Sequence, residues 1–211
     1  MEILFFNSLS STQKYLIEQI ETEKLTAPVA VITAEQNDGI GSRDNEWSGG
    51  KGNFFASFAI PLSMLPDDLP LPSASIYFSF IMKKTLEAMG EALWLKWPND
   101  LYVNEQKIGG TITKKIKDCL ICGIGINLKK NENGYSALQS DISAEKLLKN
   151  YLTALEKFPK WKQVFSEYRV EFELSRKFSV HNGNDKISLE NATLCRDGSL
   201  LLGDKKVYSL R

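Results

Sequence analysis

Between residues 93 and 127 four strand-like runs follow one another closely, at 93–96, 101–103, 107–113 and 120–127. The break at residues 104–106 is short enough to be a hairpin turn. Segments of helical character lie before and after this block. Strands gathered in the middle with helices on both sides give an α+β fold built on a mixed β-sheet flanked by helices.

The rest of the chain fits around that block. Residues 3–6 and the β-branched residues 29–33 suit strands, and 54–60 returns to strand character. Between the first two, Ser10 followed by Gln13 matches a capping box opening a helix. Residues 35–53 hold five glycines (39, 41, 49, 50 and 52) and no hydrophobic period, which reads as a long loop. Long loops inside compact domains are usually functional. Pro72 suits the first turn of a helix running to about Met89, with Ala74, Phe78, Ile81, Thr85 and Ala88 as its packed face. Further helices are expected at 144–155 and 160–177. The turn pairs Asn182-Gly183, Asp197-Gly198 and Gly203-Asp204 then break residues 178–211 into short strands. The expected division is residues 1–177 as the main domain and 178–211 as a small β-barrel-like appendage that docks on it.

Composition narrows the function. Of the 211 residues 43% are hydrophobic, enough for a sizeable core, and 26 basic residues balance 26 acidic ones. No excess of positive charge points to nucleic acid or an anionic membrane. No apolar stretch approaches the roughly 20 residues a membrane span needs. The expectation is a cytoplasmic protein. Cys119 and Cys122 form a C-x-x-C pair, but they lie in a strand-like run where residues three apart point to opposite faces. With no second pair and with His181 far away, they read as small core residues rather than a metal or redox site.

The most informative segment runs from Lys96 to Ile112. Trp97-Pro98-Asn99-Asp100 places polar side chains at a rigid corner, and Lys107 follows across a hairpin. Two ammonium groups and a carboxylate suit a negatively charged substrate, although from the residues alone an ordinary polar hairpin fits as well. Gly109 and Gly110 remove side chains beside Lys107, which would let a ligand approach the backbone.

Lys96-Trp97-Pro98-Asn99-Asp100 followed by Lys107-Ile108-Gly109-Gly110 resembles the signature of biotin protein ligases. Three further segments occur in that family's order. Ser11-Thr12-Gln13 resembles the Ser-Thr-Asn of the biotin pocket. Gln36 and the segment Gly39, Ile40, Gly41, Ser42, Arg43 to Trp47 resemble the glycine- and arginine-rich loop that closes over biotinyl-adenylate. Gly123-Ile124-Gly125-Ile126-Asn127 resembles the strand whose asparagine lies beside the nucleotide. The loop departs from the family pattern: Ile40, Ser42 and Asn45 stand where arginine is common, Asp44 replaces a glycine, and Arg43 is the one arginine left.

The resemblance implies a class II synthetase-like catalytic domain with a small C-terminal SH3-like barrel, in the form without a DNA-binding domain. It implies ATP, Mg2+ carried with the ATP, and biotin, with a biotin carboxyl carrier protein as acceptor and a homodimer as one assembly. Lys107, Lys96, Asp100 and Arg43 would be catalytic. Lys107 would hold the biotin carboxylate and Lys96 the phosphate side. Asp100 would orient the site or take a proton, or else fix the corner. Ser11, Thr12, Gln13, Gln36, Gly39, Ile40, Gly41, Ser42, Trp47, Lys107, Gly109 and Asn127 would contact substrate, Gln36 by its amide and Asn127 at the adenine or ribose. Trp47 reads as a flat lid or as a core residue. A lipoate or octanoate ligase of the same architecture, or a degenerate biotin-binding regulator, is the alternative.

Overall fold

The computed structural model describes residues 1–41, 46–47, 50–129, 136–182 and 185–208. In chain order its elements begin with β1 (Glu2–Phe6), α1 (Thr12–Glu21), β2 (Val29–Thr33), β3 (Gly39–Ile40), β4 (Glu46–Trp47) and β5 (Phe54–Pro61). They continue with α2 (Ala74–Ala88), β6 (Trp94–Lys96), β7 (Asp100–Val103), β8 (Gln106–Ile116), β9 (Cys119–Ile126), α3 (Ala144–Leu155) and α4 (Trp161–Glu171). The tail holds β10 (Ser179–Asn182), β11 (Asp185–Ser188), β12 (Thr193–Leu194), β13 (Leu200–Leu202) and β14 (Lys205–Val207). A seven-stranded sheet in the order β1-β2-β5-β9-β8-β7-β6 forms the centre. Its β1–β2 pair is parallel and the others are antiparallel, so the sheet is mixed as expected.

The period of two in each strand divides the apolar side chains between two faces. On one face Ala30, Phe54, Phe58, Cys122, Ile124 and Leu101 join the large core beneath α2 and α3. Each large side chain fully buried there is worth about 1.5–3 kcal/mol. On the other, Val29, Val31, Ala59 and Ile121 pack with Leu16 and Ile20 of α1. Because α1 is short, it covers β2, β5, part of β9 and the Ile116 end of β8, and the same face over the rest of β8 and β7 stays open for a cleft. The cysteines fall on opposite faces as expected: Cys122 is buried in the large core and Cys119 packs at the smaller one. Burial pushes the Cys122 thiol well up, which leaves it an inert apolar group.

Several boundaries differ from the sequence reading. The N-cap of α1 is Ser11, whose side chain accepts from the Lys14 amide; the reading placed the cap at Ser10. That shift turns Gln13 inward, where it is buried rather than capping. The segment 35–53 is not all loop, since β3 and β4 pair within it. In α2, Ala88 is exposed, and residues on both sides of the expected stripe are buried, because the helix lies between the sheet and α3 with α4. The helix expected at 160–177 tightens into a 3-10 turn from Phe172 to Lys177. Two amides at the start of α4 are capped from elsewhere, by Asp68, which accepts from Trp161 N at 2.9 Å and Lys162 N at 3.0 Å.

The tail's strands form two small sheets, β10-β11 and β12-β13-β14, with no ladder joining them among the described residues. Its Val180, Leu189, Ala192 and Leu200 belong to the large core rather than to one of their own. The turn at Gly198 makes the junction. Its φ is +81°, and a Cβ there would collide with Ser73 at the start of α2, so only glycine fits. The Gly198 carbonyl accepts from the buried Trp97 indole at 2.9 Å, and the Arg196 carbonyl accepts from the Trp161 indole at 2.9 Å.

Candidate active site

The cleft lies on the open part of the sheet face, at the N-terminus of α1. Counting the open space at its mouth, it takes in about 440 Å³. Two glycines on β9 make the room. A Cβ on Gly123 would stand 2.6 Å from Gln13 Oε1, and one on Gly125 would stand 2.6 Å from Trp47 Cε2. Spaced by two, both face the cleft, and each lets a side chain from a different element lie against the strand.

At the α1 end the polarity of the wall is fixed by hydrogen bonds. Segment 35–38 is tied to the chain before α1 by Leu9 N to Glu35 O, Asn37 N to Leu9 O and Asp38 N to Ser10 O. This sets Gln36 beside Thr12, whose backbone amide donates to Gln36 Oε1 at 2.8 Å and whose hydroxyl donates to the same oxygen at 3.1 Å. An amide N–H can only donate, so the Gln36 atom facing it is oxygen and Nε2 is left as a donor. The Thr12 hydroxyl has spent its hydrogen, so in the 2.9 Å contact with Ser57 Oγ the serine donates. Ser57 therefore has only lone pairs to offer. Gln13 Oε1 is buried without a partner. A donor, Gln36 Nε2, and two acceptors, Ser57 Oγ and Gln13 Oε1, are thus among the groups this end offers.

At the other end lies the Trp97–Asp100 corner, where the Trp97–Pro98 peptide is cis. Asn99 binds β8 twice, donating from Nδ2 to Thr111 O at 2.6 Å and accepting from Thr111 N at 3.0 Å. The β7–β8 register shifts between Leu101 and Tyr102: Leu101 pairs with Gly109, but Tyr102 pairs with Lys107. The extra residue on β8 is a bulge that re-aims Lys107. Without it Lys107 would point away from Gly110; with it both share the face of Asp100. Lys107 Nζ then reaches Asp100 Oδ1 at 2.7 Å, with the lysine side chain 40% and the aspartate 18% exposed. Burial, then the Asp100 carboxylate, pushes the Tyr102 phenol up to about 12, so it stays protonated. Trp47 lies over Gly125 with its ring centroid 5.6 Å from Lys107 Nζ, a position that suits a lid.

Of the residues expected from sequence, Ser11, Thr12, Gln13, Gln36, Ile40, Gly41, Trp47, Asp100 and Lys107 line the cleft. Lys96 does not. It pairs with Asp100 across β6 and β7, but its Nζ lies 5.4 Å from the ring centroids of Tyr102 and Phe178, toward the tail. Gly39 sits behind the cleft, where a Cβ would meet Trp47 O at 2.5 Å and Gln36 Nε2 at 2.9 Å. Gly109 turns its missing side chain to the core, where a Cβ would stand 2.4 Å from Ile126 Cδ1. Asn127 stands beyond the lining, two residues past Gly125. Ser42 and Arg43 lie outside the described residues.

Sequence reasoning missed Ser57, Asn99 and Ile112 as lining residues. Ser57 left a signal, as the one polar residue in the buried run Phe54–Pro61. Ile112 left none. Thr111 contributes its backbone, since its register partner Ile124 belongs to the opposite face.

The profile of the biotin/lipoate A/B protein ligase family matches residues 5–131. The chain is 38% identical to the biotin acetyl coenzyme A carboxylase synthetase of Helicobacter pylori, solved with bound biotinylated ATP. The two superpose with a TM-score of 0.94 over 98% of this chain and 99% of that one. The biotin protein ligase of Aquifex aeolicus, solved with biotin and ATP, is 22% identical and shares the fold, with a TM-score of 0.74 over 100% of this chain and 96% of that one. The bifunctional ligase/repressor BirA of Escherichia coli K12 is 25% identical over 96% of this chain. The chain spans 63% of that relative's length.

Proposed function

Since the chain belongs to the biotin/lipoate A/B protein ligase family, we propose that it joins biotin to a lysine of a biotin carboxyl carrier protein at the expense of ATP. A carboxylate oxygen of biotin attacks the α-phosphorus of ATP. The α–β phosphoanhydride bond breaks, and biotinyl-5′-AMP and pyrophosphate form. The neutral ε-amine of the carrier lysine then attacks the acyl carbon, the bond to AMP breaks, and one proton leaves the amine.

Lys107 is assigned to the biotin carboxylate and to the negative charge that builds on the phosphate, a preorganised electrostatic role. Asp100, already paired with Lys107, holds that ammonium in place and is the nearest carboxylate to receive the amine's proton. Asn127 and Lys96 are assigned to the nucleotide side, and Trp47 to closing the cleft. Mg2+ would enter with ATP; among the described residues no three His, Cys, Asp or Glu side chains gather to hold an ion. Residues 1–177 carry the chemistry, and residues 178–211 support the Trp97 corner from behind. No helix among the described residues is long and apolar enough to cross a membrane, and the reaction is assigned to the cytoplasm.

The observation that carries biotin over a fatty or dithiolane acid is the wall around Thr12. Its free groups include a donor, Gln36 Nε2, and two acceptors, Ser57 Oγ and Gln13 Oε1. A cyclic urea offers the complement, one carbonyl and two N–H groups. A dithiolane or alkyl chain would leave buried polar groups unpaired, at about 1–3 kcal/mol each. With ATP and Mg2+ the protein should label a carrier domain with biotin, while lipoate and octanoate do not substitute. Equal labelling with either acid would overturn the assignment.

A further inference from the structure

Glu91 lies just past α2, far from the cleft lining, yet it is buried at 6% exposure. Its carboxylate accepts from the backbone amides of Ser140 at 2.8 Å and Gln139 at 3.3 Å. What it holds is the strap 136–140. That strap in turn grips Asn127: Leu138 N donates to Asn127 O at 3.1 Å, and Asn127 Nδ2 donates to Ser136 O at 3.1 Å. From the other side Asn127 N donates to Ile108 O at 2.7 Å.

The polarity of this chain is decided by its carbonyl. Ser136 O can only accept, so the Asn127 atom facing it is nitrogen, and Oδ1 is turned the other way. That oxygen is buried and has no partner. Asn127 follows directly after β9, two residues past Gly125 and so away from the Ser57 end of the cleft. We propose that Glu91 is a positioning residue for the nucleotide: by clamping the strap it fixes the Asn127 amide so that Oδ1 accepts a hydrogen bond from the nucleoside. The donor is the adenine amine or a ribose hydroxyl. The inference rests on the adenylating reading of the cleft, but it can be tested on binding alone.

The test is calorimetric binding of ATP to wild type, Glu91→Ala, Asn127→Ala and the double variant, with thermal melts to confirm folding. Losing one oriented hydrogen bond should weaken ATP roughly tenfold in each single variant. The double variant should be no weaker than either, because both changes remove the same contact. Biotin affinity should stay within twofold of wild type in Glu91→Ala. If Glu91→Ala folds poorly, Glu91→Gln keeps one acceptor for the strap and should show a smaller shift in the same direction. Triphosphates lacking the 6-amino group or a ribose hydroxyl identify the donor: the one that loses its deficit in Asn127→Ala is the partner. Unchanged ATP affinity in a folded Glu91 variant or multiplying losses in the double variant would overturn this proposal alone, whereas a wild type that takes up no ATP would overturn it together with the adenylating reading. Turnover of biotin is not needed for any of these outcomes, so a failure here is separable from a failure of the ligase assignment.

Discussion

Replacing Ser57 with alanine removes one oxygen atom from the middle of a fully buried strand paired on both sides. The backbone has no reason to move, and the cavity left is smaller than a methyl group. Two consequences follow from the donor order worked out at the site. Thr12 keeps its hydroxyl bond to Gln36, because that bond uses the threonine's own hydrogen. The ligand loses one of two acceptors for its N–H groups. A neutral hydrogen bond is worth about 0.5–1.5 kcal/mol, so biotin should bind roughly 2- to 12-fold more weakly. Desthiobiotin keeps the urea and should lose the same factor. Lipoate and octanoate have no N–H to satisfy and should bind as before or slightly better, so the preference for biotin narrows. Titration calorimetry with the four ligands, on wild type and variant, reads the pattern. An equal loss for all four would mean that Ser57 shapes the cavity rather than reading a urea, and the donor–acceptor reasoning would be refuted.

Lys107→Met keeps the apolar stem and removes the charge; adenylation should fall at least about tenfold with the melting temperature little changed, as losing a charge-assisted contact costs roughly 1.5 kcal/mol or more. Trp97→Phe leaves the Gly198 carbonyl unpaired in a fully buried place and opens a void, so it should cost about 3 kcal/mol, roughly 6–12 °C in melting temperature. Asp68→Ala should cost about 1 kcal/mol through the lost cap on α4. Burial works to raise the Asp68 carboxyl, but the Lys162 and Trp161 amides and the Lys160 charge outweigh it and hold it below the usual carboxylate range. A depressed folded value means the stabilisation is present above the ordinary aspartate range, near pH 4, and disappears as pH falls through the lower folded value. Wild type and Asp68→Ala should therefore differ most near neutral pH and converge in acid, as followed by melts from pH 7 to pH 2.

The strands were legible in the sequence wherever a continuous run of apolar or β-branched residues marks them, as in β2, β5 and β9. Positions set by pairing were not. The bulge that turns Lys107 toward Asp100 depends on a one-residue slip between β7 and β8, which neither strand's sequence announces. Gln36 was expected to meet ligand, but its grip on Thr12 joins residues 24 apart and follows from the Leu9–Glu35 and Asn37–Leu9 bonds. Gly109 and Gly125 read alike as sequence, yet one makes room for Ile126 in the core and the other for Trp47 in the cleft. Lys96 belongs to the same motif as Asp100, but it reaches toward the tail because Phe178 supplies a ring there.

The most direct test of the central claim is exchange of labelled pyrophosphate into ATP. In the proposed reaction biotin is adenylated before any acceptor is present. With Mg2+ and no carrier protein, exchange should be negligible without biotin and should rise with it to saturation. It should drop at least about tenfold in Lys107→Met. Exchange that is indifferent to biotin, or that lipoate supports equally well, would contradict the assignment of the Thr12–Gln36–Ser57 wall and Lys107 to a single biotin-activating site.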